Sequence, residues 1–308
     1  MWIENLPPFV PFFIAAIFAG LLTGKGRLVL LLVPVWGALN MHLTLDAVSA
    51  VNMSVLGFQL GFLNVDKLAL MFGYLFHIAA FISLIYSLHV EDKTQQVAGL
   101  LYAGSALGAV FAADFISWFI FWELLALTSV FLGWARRTQS SLNAGSRYLI
   151  MQVLSGVLLL AGAIMLAQQG KSLDIDYVGL EGTASWLLLI AFGIKAAFPF
   201  MHTWLTDAYP EATPTGTVFL SAFTTKVAIY ALARTFPGEE LLVYIGAAMT
   251  CFPIFYAVIE NYLRKVLAYS LINQLGFMVC GIGIGTALAL KAQSHMPSTT
   301  SYSKVCCS

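Results

Sequence analysis

Charged residues are scarce in this sequence. Lys, Arg, Asp and Glu supply only 10% of its 308 residues, whereas 60% of the residues are hydrophobic, and the mean hydropathy is +0.86. Because soluble domains carry about 25% charged residues, the composition excludes an ordinary soluble domain and predicts an integral membrane protein. The formal net charge is zero, which gives no reason to expect nucleic acid as a partner.

Cysteine is scarce as well. The four cysteines, Cys251, Cys280, Cys306 and Cys307, have neither the spacing of a metal site nor that of a disulfide framework. We therefore expect neither a metal nor a cofactor in this chain. The first apolar run lacks a preceding basic region and has Glu4 there instead, so a cleaved signal peptide is not expected.

Long apolar runs dominate the sequence. They do not alternate as the strands of a membrane barrel do, and most have the length of about 17 to 25 residues that a helix needs to cross a bilayer. The predicted fold class is therefore all-α integral membrane, with about ten transmembrane helices. The ten segments are 8–23, 28–45, 66–88, 97–113, 115–135, 148–168, 185–204, 216–236, 240–260 and 266–290.

Two further features concern the loops. The stretch 46–65 is apolar but contains Asp46, Asn52, Gly57 and Gly61, which predicts an extended surface loop or a hairpin. With the N-terminus outside, eight basic residues lie in inside loops and three in outside loops, which favours that orientation. The eight are Lys25, Arg27, Lys93, Arg136, Arg137, Arg147, Arg264 and Lys265, and the three are Lys67, Lys171 and Arg234.

Glu123 is the first charge placed deep in an apolar segment. It lies about nine residues into its segment, near the bilayer midplane at 1.5 Å per residue. A carboxylate there must face protein, water or a cation, which makes it a candidate functional group. The alternative is a protonated or hydrogen-bonded glutamate that only joins two helices.

Lys195 is the second such charge. Pro199 follows four residues later and has no N–H to bond the carbonyl of Lys195, so the helix is predicted to break just after the lysine. The helix dipole would favour its charge there, whereas burial would disfavour it, and the balance suits a lysine that gains and loses a proton. The alternative is a proline kink whose lysine only pairs with Glu123.

Lys226 is too deep in its segment to reach either surface, and Thr224 and Thr225 beside it predict a hydrated or hydrogen-bonded neighbourhood. The alternative is a buried lysine paired with a carbonyl at a helix end. His202 follows the predicted break and could relay a proton between the lysines, or be purely structural.

Other polar and aromatic residues around this region allow simpler interpretations. Asp207 and Glu211 are expected in a short loop, where they could gather cations or, as we favour for Glu211, be solvated loop charges. The tryptophans are most simply packing residues or interface anchors; they are Trp118, Trp122, Trp134 and Trp204.

Four motifs in order resemble the antiporter-like subunits of Mrp-type cation/proton antiporters, of respiratory complex I and of membrane-bound hydrogenases. They are FWELLALTSVFL, GIKAAFPFMHTWLTDAYPEA, FLSAFTTKVAIYALAR and RKVLAYSLINQLGFM. The resemblance covers about residues 1–290 and is greatest to the D-type component of the Mrp antiporters. Thr206 stands where the family usually has proline, and Tyr262 where an acidic residue is common.

The resemblance implies a fold of about fourteen helices with two inverted five-helix repeats, helices four to eight and nine to thirteen, each with one broken helix. It implies that Glu123, Lys195, His202 and Lys226 form a proton relay, with the helix break at Pro199. It further implies a multi-pass protein of a bacterial inner membrane, with other membrane subunits, protons, Na⁺ and lipid as partners.

The resemblance also divides the chain. We expect an N-terminal three-helix segment with an outside loop at 1–96, a first five-helix proton-channel repeat at 97–236, and the start of a truncated second repeat at 237–290. Residues 291–308 are polar and aperiodic, and a shifted reading frame there would permit an apolar continuation, which predicts a frameshift.

Three functions follow from these observations. The first is a proton-conducting subunit of a monovalent cation/proton antiporter, a transporter rather than an enzyme. The second is a proton-pumping membrane subunit of NADH:quinone oxidoreductase or of a hydrogenase, without a redox centre of its own. The third is an inactive truncated product, since the second half-channel would be incomplete; a single-chain sugar or drug carrier has less support.

Overall fold

The computed structural model describes residues 6–22, 24–44, 52–55, 58–61 and 63–286, and these are helical apart from one hairpin and the connecting turns. The all-α membrane fold class is therefore confirmed. The predicted tail at 291–308 lies outside the described residues, so its frameshift stays a prediction.

The helices are α1 Val10–Ala19, a 3₁₀ helix Gly24–Leu31, α2 Leu32–Thr44, α3 Lys67–Ser87, α4 Lys93–Phe111, α5 Phe115–Trp134, α6 Gln139–Gln168, α7 Thr183–Ala196, α8 Thr203–Glu211, α9 Pro214–Ala222, α10 Thr224–Thr235, α11 Glu240–Ile259 and α12 Leu263–Ile284.

Six helical spans within the described residues are long and apolar enough to cross a membrane. They are α3, α5, α6, α9 together with α10, α11 and α12. Every one of the ten predicted segments overlaps with helix, whereas the count of ten spans and the division into repeats stay predictions. The span α9–α10 is the centre of the molecule, with nearly all of its residues buried.

The hairpin lies in the stretch for which a loop or hairpin was predicted. Strand β1, Asn52–Val55, pairs antiparallel with β2, Phe58–Gly61, with Asn52 opposite Gly61. The amide of Gly61 donates a hydrogen bond of 2.6 Å to Asp114 Oδ2. Because Asp114 also caps the N-terminus of α5, the hairpin is fixed to the end of the helix that carries Glu123.

Scarce polar side chains begin several of the helices. Asp66 caps α3, Asp92 caps α4 and Asp114 caps α5, each by accepting hydrogen bonds from the first free amides of its helix. Thr138 and Ser141 form a capping box at the start of α6. Three of the fifteen acidic residues therefore have a structural role at helix starts, which Glu123, within a helix, does not share.

Helix α7 ends where the sequence predicts a break, one residue after Lys195. The amide of Phe198 bonds the carbonyl of Gly193 at 2.9 Å, and the amide of Ala197 bonds that of Ile194 at 3.2 Å. These two bonds form a Schellman motif, and Ala197 takes the left-handed conformation, φ 62°. The chain then passes Pro199 before α8 begins at Thr203.

The strain at Ala197 leads to a testable difference in stability. Ala196 and Ala197 are both fully buried, so a change to glycine removes the same methyl group from each. Ala196→Gly also loses about 1 kcal/mol of helix propensity, whereas Ala197→Gly relieves about 1 to 2 kcal/mol of left-handed strain. We expect Ala197→Gly to unfold at the higher temperature in the detergent-solubilised protein; a lower midpoint than that of Ala196→Gly would contradict the Schellman assignment.

The expectation of a short loop at Asp207 and Glu211 is wrong, although both side chains are partly exposed. These residues belong to helix α8. Asp207 accepts a bond of 2.6 Å from Arg147 of α6, and Glu211 pairs at 3.2 Å with Arg136. Long-range arginine partners hold both carboxylates, and these partners are not visible in the local sequence.

The helix directions separate the described basic residues into two groups. Arg136, Arg147 and Arg264 lie at the α8 end, where Arg264 also bonds the carbonyl of Ala212 at 3.0 Å. Arg234 lies at the opposite end and pairs with Asp66 at 2.6 Å. This agrees with the grouping used for orientation, while the direction in the membrane stays a prediction.

Candidate functional site

Lys195 lies in the last turn of α7 and is fully buried. Its Nζ donates a hydrogen bond of 3.0 Å to the main-chain carbonyl of Trp122 in α5. The same atom lies 4.1 Å from the centroid of the Trp122 ring. A carbonyl, an aromatic face and the C-terminal end of a helix all favour a cation at this point, so the buried position is suited to a protonated lysine.

Glu123 follows Trp122 and lies on the same helix. It is close enough to Lys195 to interact with it electrostatically, but in the described part of the chain the two form no direct ion pair. Glu123 Oε1 is buried and has no hydrogen-bond partner among the described residues. The carboxylate packs against Gly156 of α6. A side chain at that position would collide with Oε1, so the glycine is needed for this contact.

The space that Gly156 leaves for Glu123 can be tested. Gly156→Ala would force the carboxylate to move, and Glu123 is flexible enough to do so without unfolding the helix. If the proton relay implied by the resemblance operates, we expect transport to fall by about 10-fold, since a misplacement of about 1 Å can cost up to 100-fold in rate, with normal assembly of the protein. Flux in membrane vesicles measures this.

Gly133→Ala is the matched control for that experiment. Gly133 also lies in a helix, α5, but a methyl group there would meet nothing within 4 Å. We expect Gly133→Ala to transport normally. Equal activity of the two variants would show that the position of Glu123 does not matter.

A hydrogen-bonded chain connects Trp122 to α6 and α7. Trp122 Nε1 donates to Ser155 Oγ at 2.9 Å, and Ser155 Oγ donates to the carbonyl of Ala191 at 2.7 Å. Trp122 is therefore more than the packing residue or interface anchor expected from the sequence. It is fully buried, and its ring, carbonyl and indole N–H all contribute to the surroundings of Lys195.

Lys226 lies beside a second helix interruption, which the sequence did not predict. Helix α9 ends at Ala222, α10 begins at Thr224, and Phe223 between them has φ −113° and ψ −60°. Lys226 is fully buried, and its Nζ donates to the carbonyl of Ser221 at 2.5 Å. This carbonyl stands at the C-terminal end of α9, where the dipole favours positive charge.

Tyrosine hydroxyls satisfy other main-chain groups at this interruption. Tyr102 accepts a bond of 2.9 Å from the amide of Thr224, and its hydroxyl lies 2.5 Å from Thr224 Oγ1. Tyr209 donates to the carbonyl of Leu220 at 2.9 Å. Tyr148 lies 3.5 Å from Thr224 Oγ1. The neighbourhood predicted around Thr224 is therefore hydrogen-bonded, through residues distant in sequence.

Thr225 differs from Thr224, since its buried Oγ1 has no partner in the described part of the chain.

His202 is half-buried and forms the N-cap position of α8. Its ring packs on Phe252 of α11, with 4.7 Å between centroids, and its buried Nδ1 has no partner among the described residues. The structure thus brings Glu123 near Lys195, whereas His202 contacts α11 instead of either lysine.

Sequence reasoning missed the residues around Thr224. Buried tyrosines in a membrane protein look like packing residues, and Tyr102, Tyr148 and Tyr209 are isolated in the sequence. Ser155 and Gln152 in α6 were also missed. A signal was present in their spacing, because Tyr148, Gln152 and Ser155 recur at four and three residues and so share one face of a helix.

The transmembrane family of NADH:quinone oxidoreductases and Mrp antiporters matches residues 112–303. The Na⁺/H⁺ antiporter subunit A1 of Staphylococcus aureus, strains JH9 and Newman among others, is 30% identical over 247 residues, covering 72% of this chain and 31% of that protein. The chain therefore spans about a third of the length of these curated relatives.

Three solved structures share the fold. The Mrp complex of Dietzia sp. DQ12-45-1b contains a chain with a TM-score of 0.81 at 22% identity, covering 96% of this chain and 61% of that one. An archaeal membrane-bound sulfane sulfur reductase gives 0.82 at 20%, with 98% and 55% covered. Respiratory complex I of Thermus thermophilus gives 0.79 at 21%, with 96% and 68% covered.

The fold and the site define a multi-pass membrane protein with two interrupted helices that carry fully buried lysines. The chain belongs to the NADH:quinone oxidoreductase/Mrp antiporter transmembrane family, which matches more than half of its length. The resemblance to antiporter-like subunits is thereby confirmed, while the assignment to the D-type component among them stays a prediction.

Proposed function

We propose that this chain is a proton-conducting subunit of a multi-subunit monovalent cation/proton antiporter, with Na⁺ as the cation, in a bacterial plasma membrane. The observation that carries the proposal is that Lys195 and Lys226 are fully buried, and that each bonds a main-chain carbonyl beside an interrupted helix. Lysines so costly to bury are default candidates for a proton pathway.

In this proposal Lys195 is the central proton carrier. Glu123 stabilises its charged form through space, and the carbonyl of Trp122 holds the ammonium group in place. A shift of Glu123 toward or away from Lys195 would change the stability of that charge and so drive uptake or release of the proton. The absence of a side chain at Gly156 fits the observed position of the carboxylate, because a Cβ there would collide with Glu123 Oε1.

Lys226 receives the proton two residues beyond Thr224, whose hydroxyl lies near those of Tyr102 and Tyr148. His202 is kept in the relay between the lysines because its buried Nδ1 has no partner among the described residues and can bond water. The arrangement requires hydrated steps, since the described side chains give no continuous direct chain between the lysines.

The second candidate is a proton-pumping membrane subunit of a redox complex. The family itself includes NADH:quinone oxidoreductases, and the likeness to a chain of respiratory complex I covers 96% of this chain. The same proton relay would serve, with redox chemistry carried by partner subunits.

Purification of the complex through a tag on this chain separates the two candidates. The antiporter proposal predicts that the co-purifying proteins are other membrane subunits and that the preparation lacks flavin and iron–sulfur absorbance. Stoichiometric flavin and iron–sulfur absorbance would contradict the antiporter proposal and support the redox complex.

A further inference from the structure

Gln152 is the most unusual polar residue that the proposed relay does not use. It lies near the middle of α6 with an exposed fraction of 0%. Neither its Nε2 nor its Oε1 has a hydrogen-bond partner among the described residues. An unpaired buried polar group costs about 1 to 3 kcal/mol, and the amide has both of its ends unpaired. A residue of this kind needs a ligand that can both donate and accept.

The position of Gln152 follows from its neighbours on α6. Ser155, three residues later, bonds the carbonyl of Ala191 in the antiparallel helix α7. One turn from Ser155 toward the start of α6 leads to Gln152, and one turn from Ala191 toward the end of α7 leads to Lys195. These displacements are about 4.5 Å and about 6 Å in the same direction, so Gln152 stands nearly level with Lys195.

A second contact supports this register. At the other end of the pair, a methyl group at Gly162 would lie 3.2 Å from the carbonyl of Ala184. Gly162 is seven residues after Ser155, and Ala184 is seven residues before Ala191. The two helices therefore keep one register over two turns. The same register, continued by one further turn, places Gln152 beside the end of α7.

In the other direction, Gln152 adjoins the tyrosine cluster. Tyr148 precedes it by four residues and so lies one turn away on the same face. The Tyr148 hydroxyl lies 2.7 Å from Ser129 Oγ and 3.5 Å from Thr224 Oγ1. Gln152 thus lies at the level of Lys195 and one turn from the group of hydroxyls that leads to Lys226.

We propose that Gln152 is a positioning residue that holds water between Lys195 and the Tyr148–Thr224 pair, and so joins the two lysine sites into one proton pathway. The inference rests on the proposed function. An amide does not itself carry the proton at neutral pH, but it donates through Nε2 and accepts through Oε1. It can therefore orient water molecules that transfer protons on either side. Its full burial within this chain keeps the ligand small.

The first test is a matched set of variants in the assembled complex. Gln152→Leu removes both polar ends at similar volume, and we expect cation-driven proton flux to fall on the order of 10- to 100-fold, as misplacement of reacting groups does. Gln152→Asn, which keeps the amide, should retain part of the flux. Gln168→Leu, at an exposed position at the end of the same helix, should be unchanged.

Stability separates positioning from a structural role. Leucine has a similar volume and leaves no polar atom that needs a partner at this buried position, so Gln152→Leu should assemble and melt about as well as the parent. A raised solvent isotope effect on the remaining flux in D₂O is also expected. Wild-type flux in Gln152→Leu, with wild-type isotope effect, would overturn the proposal.

The second test does not depend on activity. A high-resolution map of the whole complex should show water density within hydrogen-bond distance of both Gln152 Nε2 and Oε1. Protein partners at both atoms instead of water would overturn the proposal even if transport is confirmed. If the parent complex carries no cation-coupled proton flux, the proposed function fails, and the map still decides whether Gln152 binds water.

Discussion

Lys195→Ala should abolish cation-driven proton flux, with a loss of at least about 100-fold, the lower range for removal of a proton-transfer group. The change removes the only ammonium group in α7 and leaves the Trp122 carbonyl without its bond of 3.0 Å. Nothing else described on α7 can take up a proton at that depth, so no parallel route is expected. Vesicles that carry the assembled complex provide the measurement.

Two controls make that result specific to the proton. Lys171→Ala removes a lysine exposed in the loop after α6, and transport should be unaffected. Lys195→Met keeps an unbranched side chain of similar length without charge, and we expect it to assemble as well as the parent, because a side chain of similar volume fills the same buried space. A transporting Lys195→Met complex would reject Lys195 as a proton carrier.

Lys226→Met should also remove transport, and here the effect on stability must be considered separately. The ammonium group of Lys226 satisfies the Ser221 carbonyl at the end of α9, so a purely structural lysine predicts loss of stability. An unpaired carbonyl costs about 1 to 3 kcal/mol, which is offset by the charge no longer buried. We therefore expect near-normal assembly with a transport loss of about 100-fold or more.

Lys226→Arg separates the two roles of this lysine. Arginine keeps the positive charge and the hydrogen bonds but does not release its proton in proteins. A structural role predicts that Lys226→Arg transports better than Lys226→Met; the relay predicts that both are inactive when assembled. Lys265→Met, a partly exposed lysine at the start of α12, is the control. Active Lys226→Arg would contradict the relay.

The charges of the site were predictable because they contrast with their surroundings. Glu123, Lys195 and Lys226 stand in runs of apolar residues, and membrane depth follows from counting along a helix. The break after Lys195 was predictable from Pro199, which cannot donate to the helix ladder. These are local properties, so they can be read from one sequence.

The second interruption could not be read in this way. Neither proline nor glycine lies between Val218 and Lys226, and nothing local interrupts the helix there. The interruption is stabilised from outside, since Tyr102, 122 residues away, bonds the amide of Thr224. Such contacts depend on how the helices pack, which the sequence pattern does not specify.

Helix α8 was misjudged for a related reason. Asp207, Glu211 and Pro210 together look like a loop, but Pro210 lies inside a short helix that ends one residue later, at Glu211. Arg136 and Arg147 from neighbouring elements then pair with the two carboxylates. Long-range charge pairing overrode the local signal.

Na⁺-induced proton flux across everted membrane vesicles tests the central claim most directly. Vesicles with the intact complex are given a proton gradient, and internal pH is followed with a dye when Na⁺ is added. The account predicts that Na⁺ dissipates the gradient in the parent, and that Lys195→Met and Lys226→Met complexes present at equal amounts do not respond. An equal response in the parent and in both variants would contradict a relay through the two buried lysines.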